Sequence, residues 1–311
     1  MEAEVQSRRP ATSVLIAGQE ERAQLRKSQS NYARAWRRFR GNKMALAALT
    51  VAFLLILMAL CAPLISRYIT HVGPAKQSLL HQFEPVSRSH WFGTDELGRD
   101  VLTRIAYGAR VSLGVAVTAV LAAIFLGTLV GSCAGYYGRW VETVLMRFVD
   151  VMLSIPGIIL LILISALFHV GPVQLALVIA ALGWFGLSRL LRSEILSIKR
   201  REYVEAARVI GAPDRVIIRR HVLPNVTHLI IVFATGATPA FILTEAALSY
   251  LGLGIQPPTP SWGNMLTNAQ SYIYKSKGLV FIPGFFISIT VLSLIIVGYA
   301  LRDALDPRLS K

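Results

Sequence analysis

Six apolar runs, each about as long as a bilayer is thick, constrain this chain more than any other feature. They lie at about 44–65, 110–135, 144–167, 173–191, 226–250 and 280–301. A helix needs roughly 20 predominantly apolar residues to cross the hydrocarbon core. The expectation is therefore an all-α membrane protein with six transmembrane helices. Composition agrees: 54% of residues are hydrophobic and 16% charged, with a mean hydropathy of +0.54. Soluble domains carry about 25% charged residues.

The basic residues orient the spans. With the N-terminus inside, the cytoplasmic pieces are the N-terminal segment, 136–147, 189–225 and the C-terminus. They hold 24 of the 32 Lys and Arg, leaving 8 for the outer pieces at 66–110 and 251–279. An excess of Lys and Arg marks the cytoplasmic side. Topology thus accounts for most of the net charge of +15.

Three parts are expected: a basic segment 1–43, a six-helix domain 44–302 and a cytoplasmic tail 303–311. The first thirty residues read as weakly ordered. From Asn31 to Gly41, Tyr32, Trp36 and Phe39 alternate with arginines, the pattern of a helix lying at the membrane interface. A basic arm can also bind nucleic acid, but one that runs straight into a span reads as a topogenic flank, with no nucleic-acid partner. The first run is too long for a signal-peptide core and lacks a small-residue cleavage site. Leu60 does not suit a lipoprotein box at Met58–Cys61, so the run reads as an uncleaved anchor.

Between the fourth and fifth runs lies a polar, basic stretch, Arg200 to Asn225. Tyr203, Ala206, Ala207 and Ile210 fall at i, i+3, i+4 and i+7, predicting a helix over 202–210. Gly211 is a candidate C-terminal cap. Pro213 and Asp214 signal the start of a second helix, and Pro224 is expected to end it. Such a short helix either docks into a groove on another protein or is an ordinary charged loop.

The wording of the stretch goes further. Glu205-Ala206-Ala207, Gly211 and Leu223-Pro224 resemble the EAA loop of ABC-importer permeases. In place of the family's frequent isoleucine, His221 stands two residues before Leu223-Pro224. Gly93-Thr94-Asp95-Glu96-Leu97-Gly98-Arg99-Asp100 resembles a signature of the peptide-permease branch. So does Ser249-Tyr250-Leu251-Gly252-Leu253-Gly254, followed by Trp262-Gly263. The resemblance covers about residues 31 to 309 and is nearest to the C-type subunit of dipeptide and oligopeptide importers.

What the resemblance implies is a type I ABC-importer-like permease with a cytoplasmic coupling helix. It implies ATPase coupling through Tyr203, Glu205, Ala206, Ala207, Ile210, Gly211, Leu223 and Pro224. The implied partners are a homologous second permease, two ABC ATPase subunits, an extracytoplasmic substrate-binding protein, the lipid bilayer and a peptide substrate. ATP and Mg would be used by the ATPases, and the setting would be a bacterial or archaeal plasma membrane. A nickel or other small-solute importer would share this architecture. An ATP-independent secondary transporter is the alternative of another class; it would show internal repeats and several intramembrane charges, and no repeat is visible.

Other residues are read directly. The sequence holds no G-x-x-x-x-G-K-[ST], so the chain is expected to be non-catalytic and to bind no cofactor itself. The acidic cluster Asp95, Glu96 and Asp100 is broken by Arg99, and the six histidines form no ligand cluster, so no metal site is expected. Thr94 or Asp95 is expected to cap a helix. Asp95, Arg99, Asp100, Trp262 and Gly263 are candidates for binding-protein docking, since exposed rigid loops suit partners; a turn packed on the bundle is the alternative. Glu245 and Asp150 are candidates for the translocation path. Glu245 could instead hydrogen-bond a neighbouring helix, and Asp150 could pair with Arg147. Pro156, Pro239 and Pro283 are expected to interrupt helices. Gly114, Gly127, Gly131 and Gly135 would let helices approach closely. Cys61 and Cys133 read as packing residues.

Overall fold

A computed structural model describes residues 31–168, 171–267 and 269–305. The expectations for residues 1–30 and for the end of the tail fall outside these residues. Among those described there are helices and one isolated bridge, Thr94 to Asp100, but no strand.

Helix α1, Asn31–Gly41, stacks Trp36 on Phe39, ring centroids 6.0 Å apart. Phe39 is buried against Ala45, Ala300 and Ala304, while Trp36 is exposed. The Asn42 side chain then caps α2, Lys43–Leu60, by accepting the Ala45 N–H. Ala45, Ala48, Ala52 and Ala59 put a small-residue face inward, and Phe53, Leu54 and Leu57 face out. Helix α3, Ala62–Tyr68, follows with a proline in its first turn.

Helix α4, Val101–Tyr137, has 37 residues. At a rise of 1.5 Å per residue it is about 55 Å long, well beyond a hydrocarbon core of about 30 Å. It therefore carries polar structure at both ends. It begins nine residues before the expected run, because Asp100, not Thr94 or Asp95, is its N-cap. Asp100 Oδ1 accepts the Thr103 N–H at 2.7 Å.

The next two runs are bent. Helices α5, Arg139–Ser154, and α6, Gly157–Leu167, meet at 83°. Pro156 sits at the break, and Ile155 before it is extended, as a residue preceding proline prefers. Helices α7, Pro172–Gly183, and α8, Phe185–Ile198, meet at 43° about Trp184. A Cβ on Gly183 would lie 2.4 Å from the tip of the Phe241 ring, so a side chain there would have to displace that ring.

Helix α9 is Glu202–Val209 and α10 is Asp214–Ile217. A π-type turn, Ile218–Val222, joins α10 to α11, Leu223–Tyr250. Pro224 therefore starts α11 and does not end the preceding helix. The Leu223 N–H reaches back to the Ile218 carbonyl, one residue further than in an α-turn. That wider turn makes room for the proline ring, which would clash with the i−4 carbonyl of a regular helix. Asp214 to Tyr250 is consequently one 37-residue helical rod. Pro239 and Pro283 also sit inside continuous helices, α11 and α12, Gly278–Leu305. The Thr238 hydroxyl donates to the Ala234 carbonyl in the turn beside Pro239.

Among the described residues, four single helices are long and apolar enough to cross a membrane. Counting each bent pair as one span brings the number to six. The core sits around α4, which packs on α8 through a glycine stripe. A Cβ on Gly127, Gly131 or Gly135 would come within 3.0 Å of Leu187, Ser188 or Ile195 respectively. Gly114 faces open space and is no part of this contact.

Candidate functional site

At the Tyr136 end of α4, helix α9 is held as a short projecting element. Glu202 and Glu205 occupy its first turn, where acids favour the helix dipole. Its end is closed by Gly211 at φ +82°. The Gly211 N–H donates to the Arg208 carbonyl and the Ala212 N–H to the Ala207 carbonyl, both at 3.0 Å. That pair of bonds is a Schellman motif, in which a left-handed residue satisfies the last carbonyls.

The expected apolar face divides. Val204 and Ala207 turn inward and join a buried cluster with Ile217 and Val222. Tyr203, Glu205, Ala206 and Ile210 are exposed. Val209, which the sequence reading passed over, joins them, 86% exposed beside Ile210 at 83%. Ile210 caps the helix and is not part of its last turn. The outcome is a helix seated on two small apolar residues that offers two acids, Glu202 and Glu205, and two bare aliphatic side chains to a partner. His221 has a structural place: its ring lies 6.1 Å from that of Tyr203.

Tyr136 clamps this element to α4. Its hydroxyl donates to Asp214 Oδ1 at 2.6 Å, and Lys199 Nζ donates to its carbonyl at 2.5 Å. Arg208 lies 5.8 Å from its ring. Partial burial, with Arg208 nearby, lowers the Lys199 pKa below the usual lysine value. Sequence reading placed Asp214 at a helix start but missed its pairing with Tyr136, because 78 positions separate them.

At the other end of α4 the Gly93–Asp100 segment is a folded knot. Asp95 Oδ1 accepts the N–H groups of Leu97 and Arg99, both at 2.9 Å. Its Oδ2 takes Arg99 Nε at 2.6 Å and lies 3.4 Å from Arg104 Nε. Arg99 Nη2 also donates to Glu96 at 2.8 Å, and His90 Nδ1 lies 2.9 Å from Asp100 Oδ2. Gly98 at φ +69° is forced, since a Cβ there would fall 1.9 Å from the Ser78 carbonyl oxygen.

The loop after α11 packs onto the same end. Trp262 is fully buried and donates its indole N–H to the Ile105 carbonyl at 3.1 Å. A Cβ on Gly263 would sit 2.5 Å from the Ala246 oxygen. Asp95, Arg99, Asp100, Trp262 and Gly263 are thus all buried, which corrects the expectation that they form an exposed docking surface. Ion pairing and tryptophan burial pull them inward, so they shape the surface without presenting it. Between knot and loop is a cavity of about 230 Å³ bordered by Glu96, Arg99, Arg104, Gln256 and Asn264.

The two intramembrane acids part company. Asp150 is exposed and pairs with Arg189 of α8 at 2.5 Å, not with Arg147. Glu245 is fully buried and accepts the Ser249 hydroxyl at 2.7 Å. Among the described residues no group of three or more His, Cys, Asp or Glu is placed to hold a metal.

A helical bundle with bent spans, a projecting helix at one end and a packed polar loop at the other is the architecture of a multi-pass membrane protein. Residues 123–311 match the family model of the binding-protein-dependent transport system inner membrane component. Residues 30–85 match the N-terminal TM domain of oligopeptide transport permease C. The chain belongs to this family of ABC-importer permeases, which sets the secondary-transporter alternative aside. It is 41% identical to the dipeptide transport system permease protein DppC of Bacillus subtilis, over 89% of this chain and 86% of that one. It is 37% identical to the oligopeptide transport system permease protein OppC of the same organism, over 92% of each. It is 38% identical to the glutathione transport system permease protein GsiD of Pectobacterium atrosepticum, over 88% of this chain and 90% of that one.

Proposed function

We propose that the chain is the C-type permease subunit of an ATP-driven importer of dipeptides and oligopeptides. Similarity to dipeptide and oligopeptide permeases over about nine-tenths of the chain supports the substrate class. A second, homologous permease supplies the other half of the path. Two ABC ATPase subunits bind ATP and Mg and do the hydrolysis, so this chain is non-catalytic. An extracytoplasmic binding protein delivers the peptide. The setting is a bacterial or archaeal plasma membrane, with residues 1–43 and 303–311 on the cytoplasmic side of a 44–302 permease domain.

The single observation that carries the coupling role is α9 itself. It projects Glu205, Val209 and Ile210 into solvent while Val204 and Ala207 tie it to the rod that continues through α11. ATP-driven closure of the ATPases displaces α9 and, through Asp214, the whole rod. ATP thus supplies the differential affinity that alternating access requires.

The test is ATP hydrolysis by the complete complex in a bilayer, with binding protein carrying a dipeptide, a longer peptide, glutathione or nickel. Stimulation by the peptide-loaded protein, lost in Glu205→Arg, is the expected result. Stimulation by nickel alone would reassign the substrate. Unimpaired transport in the Glu205→Arg variant would remove α9 from the coupling role.

A further inference from the structure

Glu245 lies five residues from the end of α11, with no exposed surface. Three buried serine side chains face its carboxyl: Ser249 of α11, Ser112 of α4 and Ser261 of the following loop. Each serine oxygen also accepts a backbone N–H from that loop. Ser249 Oγ takes Ile255 at 3.0 Å, Ser112 Oγ takes Trp262 at 3.3 Å and Ser261 Oγ takes Asn264 at 3.2 Å. A hydroxyl has one proton to donate. With N–H donors arriving at all three serine oxygens, the three hydroxyl protons are free to turn towards Glu245. Ser249 already donates to Oε1 at 2.7 Å, while Oε2 makes no hydrogen bond. The centre thus suits a group with two acceptor oxygens.

We infer that Glu245 is a positioning residue that locks the 251–267 loop to the end of the Asp214–Tyr250 rod, so that this loop and helix α9 move as one body. The rod spans about 55 Å at 1.5 Å per residue. At one end it meets α9 through the Schellman turn and Tyr136. At the other it meets the loop through Glu245. Close packing reinforces the second joint: a Cβ on Gly254 would lie 2.3 Å from Ser249 Oγ. A displacement at either end is passed along one continuous helical run, which holds through its π-type turn at 218–222 and Pro239. Glu245 therefore acts through the loop and does not touch the transported solute.

The inference rests on the proposed importer function, and its test separates the two. Glu245→Gln and Glu245→Ala complexes are reconstituted beside wild type. Basal hydrolysis, hydrolysis at saturating loaded binding protein and the half-maximal binding-protein concentration are compared. Backbone hydrogen exchange is followed in the same samples. Expected for Glu245→Gln is faster exchange at Ile255, Trp262 and Asn264, unchanged exchange in 202–209 and unchanged basal hydrolysis. The ratio of stimulated to basal hydrolysis should fall about tenfold, the size of typical long-range coupling. A purely structural residue would lower assembly and both rates in parallel. A wild-type ratio in Glu245→Gln, or unaltered exchange at the three amides, overturns the inference. Normal stimulation with lost transport would instead make Glu245 a group of the translocation path. If wild type itself shows no stimulation, the importer reading fails, and the exchange data alone then decide whether Glu245 holds the loop.

Discussion

The Tyr136 hydroxyl donates to the Asp214 carboxylate at 2.6 Å, joining the last turn of α4 to the first turn of the rod that becomes α11. Hydrogen bonds to charged groups contribute about 1.5–3 kcal/mol. Tyr136→Phe keeps the ring beneath Arg208 and removes only that bond. Stimulated ATP hydrolysis should fall several-fold with little change in the amount of assembled complex, measured by purification through a tagged ATPase. An unchanged rate would mean that ring packing alone seats α9.

Val209 and Ile210 are bare aliphatic side chains on the exposed side of α9. Burying such a side chain in a partner's groove is worth about 1.5–3 kcal/mol. Val209→Ser with Ile210→Ser should weaken retention of the ATPase at least tenfold while leaving the melting temperature of the isolated permease unchanged. Retention at wild-type strength would place the ATPase elsewhere.

Gly211 holds φ +82° with open space around it. Any cost of Gly211→Ala is therefore backbone strain without a clash, about 1–2 kcal/mol for a left-handed L-residue. Amide exchange should speed up in α9 and nowhere else. Gly211→Asn, which tolerates this conformation better, should recover part of the protection.

Gly131 and Gly114 make a matched pair on α4. A Cβ at 131 would meet the Ser188 backbone oxygen at 2.7 Å, whereas nothing lies within 4 Å of one at 114. Gly131→Ala should destabilise the bundle by about 1–3 kcal/mol, the usual cost of overpacking, read as a lowered melting temperature in detergent. Gly114→Ala should leave it unchanged or raise it slightly, since alanine is the better helix former. Equal effects would mean that α4 and α8 do not pack through this stripe.

Asp95 holds Arg99 and Arg104 together in a buried knot. Removing one partner of a buried pair costs about 3–5 kcal/mol. Asp95→Ala should therefore melt the start of α4 and lower the yield of folded protein. Asp95→Asn, which retains one acceptor oxygen for the Leu97 and Arg99 amides, should be milder. Identical yields for the two variants would show that charge, not amide capping, holds the knot.

The sequence by itself determined the class of this protein and where most of its helices run along the chain. Apolar run length is a local property, and the bilayer turns it directly into helices. Lys and Arg counts, the glycine spacing of α4, the left-handed need at Gly211 and the short helix at 202–209 are local as well, so each could be read along the chain. The tertiary structure decided which way side chains face and what they touch. Whether Ala207 or Ile210 turned inward depended on Ile217 and Val222, and whether Trp262 was offered or buried depended on Ile105 and Ser112. Asp150 found Arg189 and not its nearer neighbour Arg147, because helix packing sets the distance between charges on different spans. Pro224 could sit inside the 214–250 helical run because a wide π-type turn precedes it. Long-range contacts of this kind leave no periodic trace in a sequence, since their energy is realised only after the helices have packed.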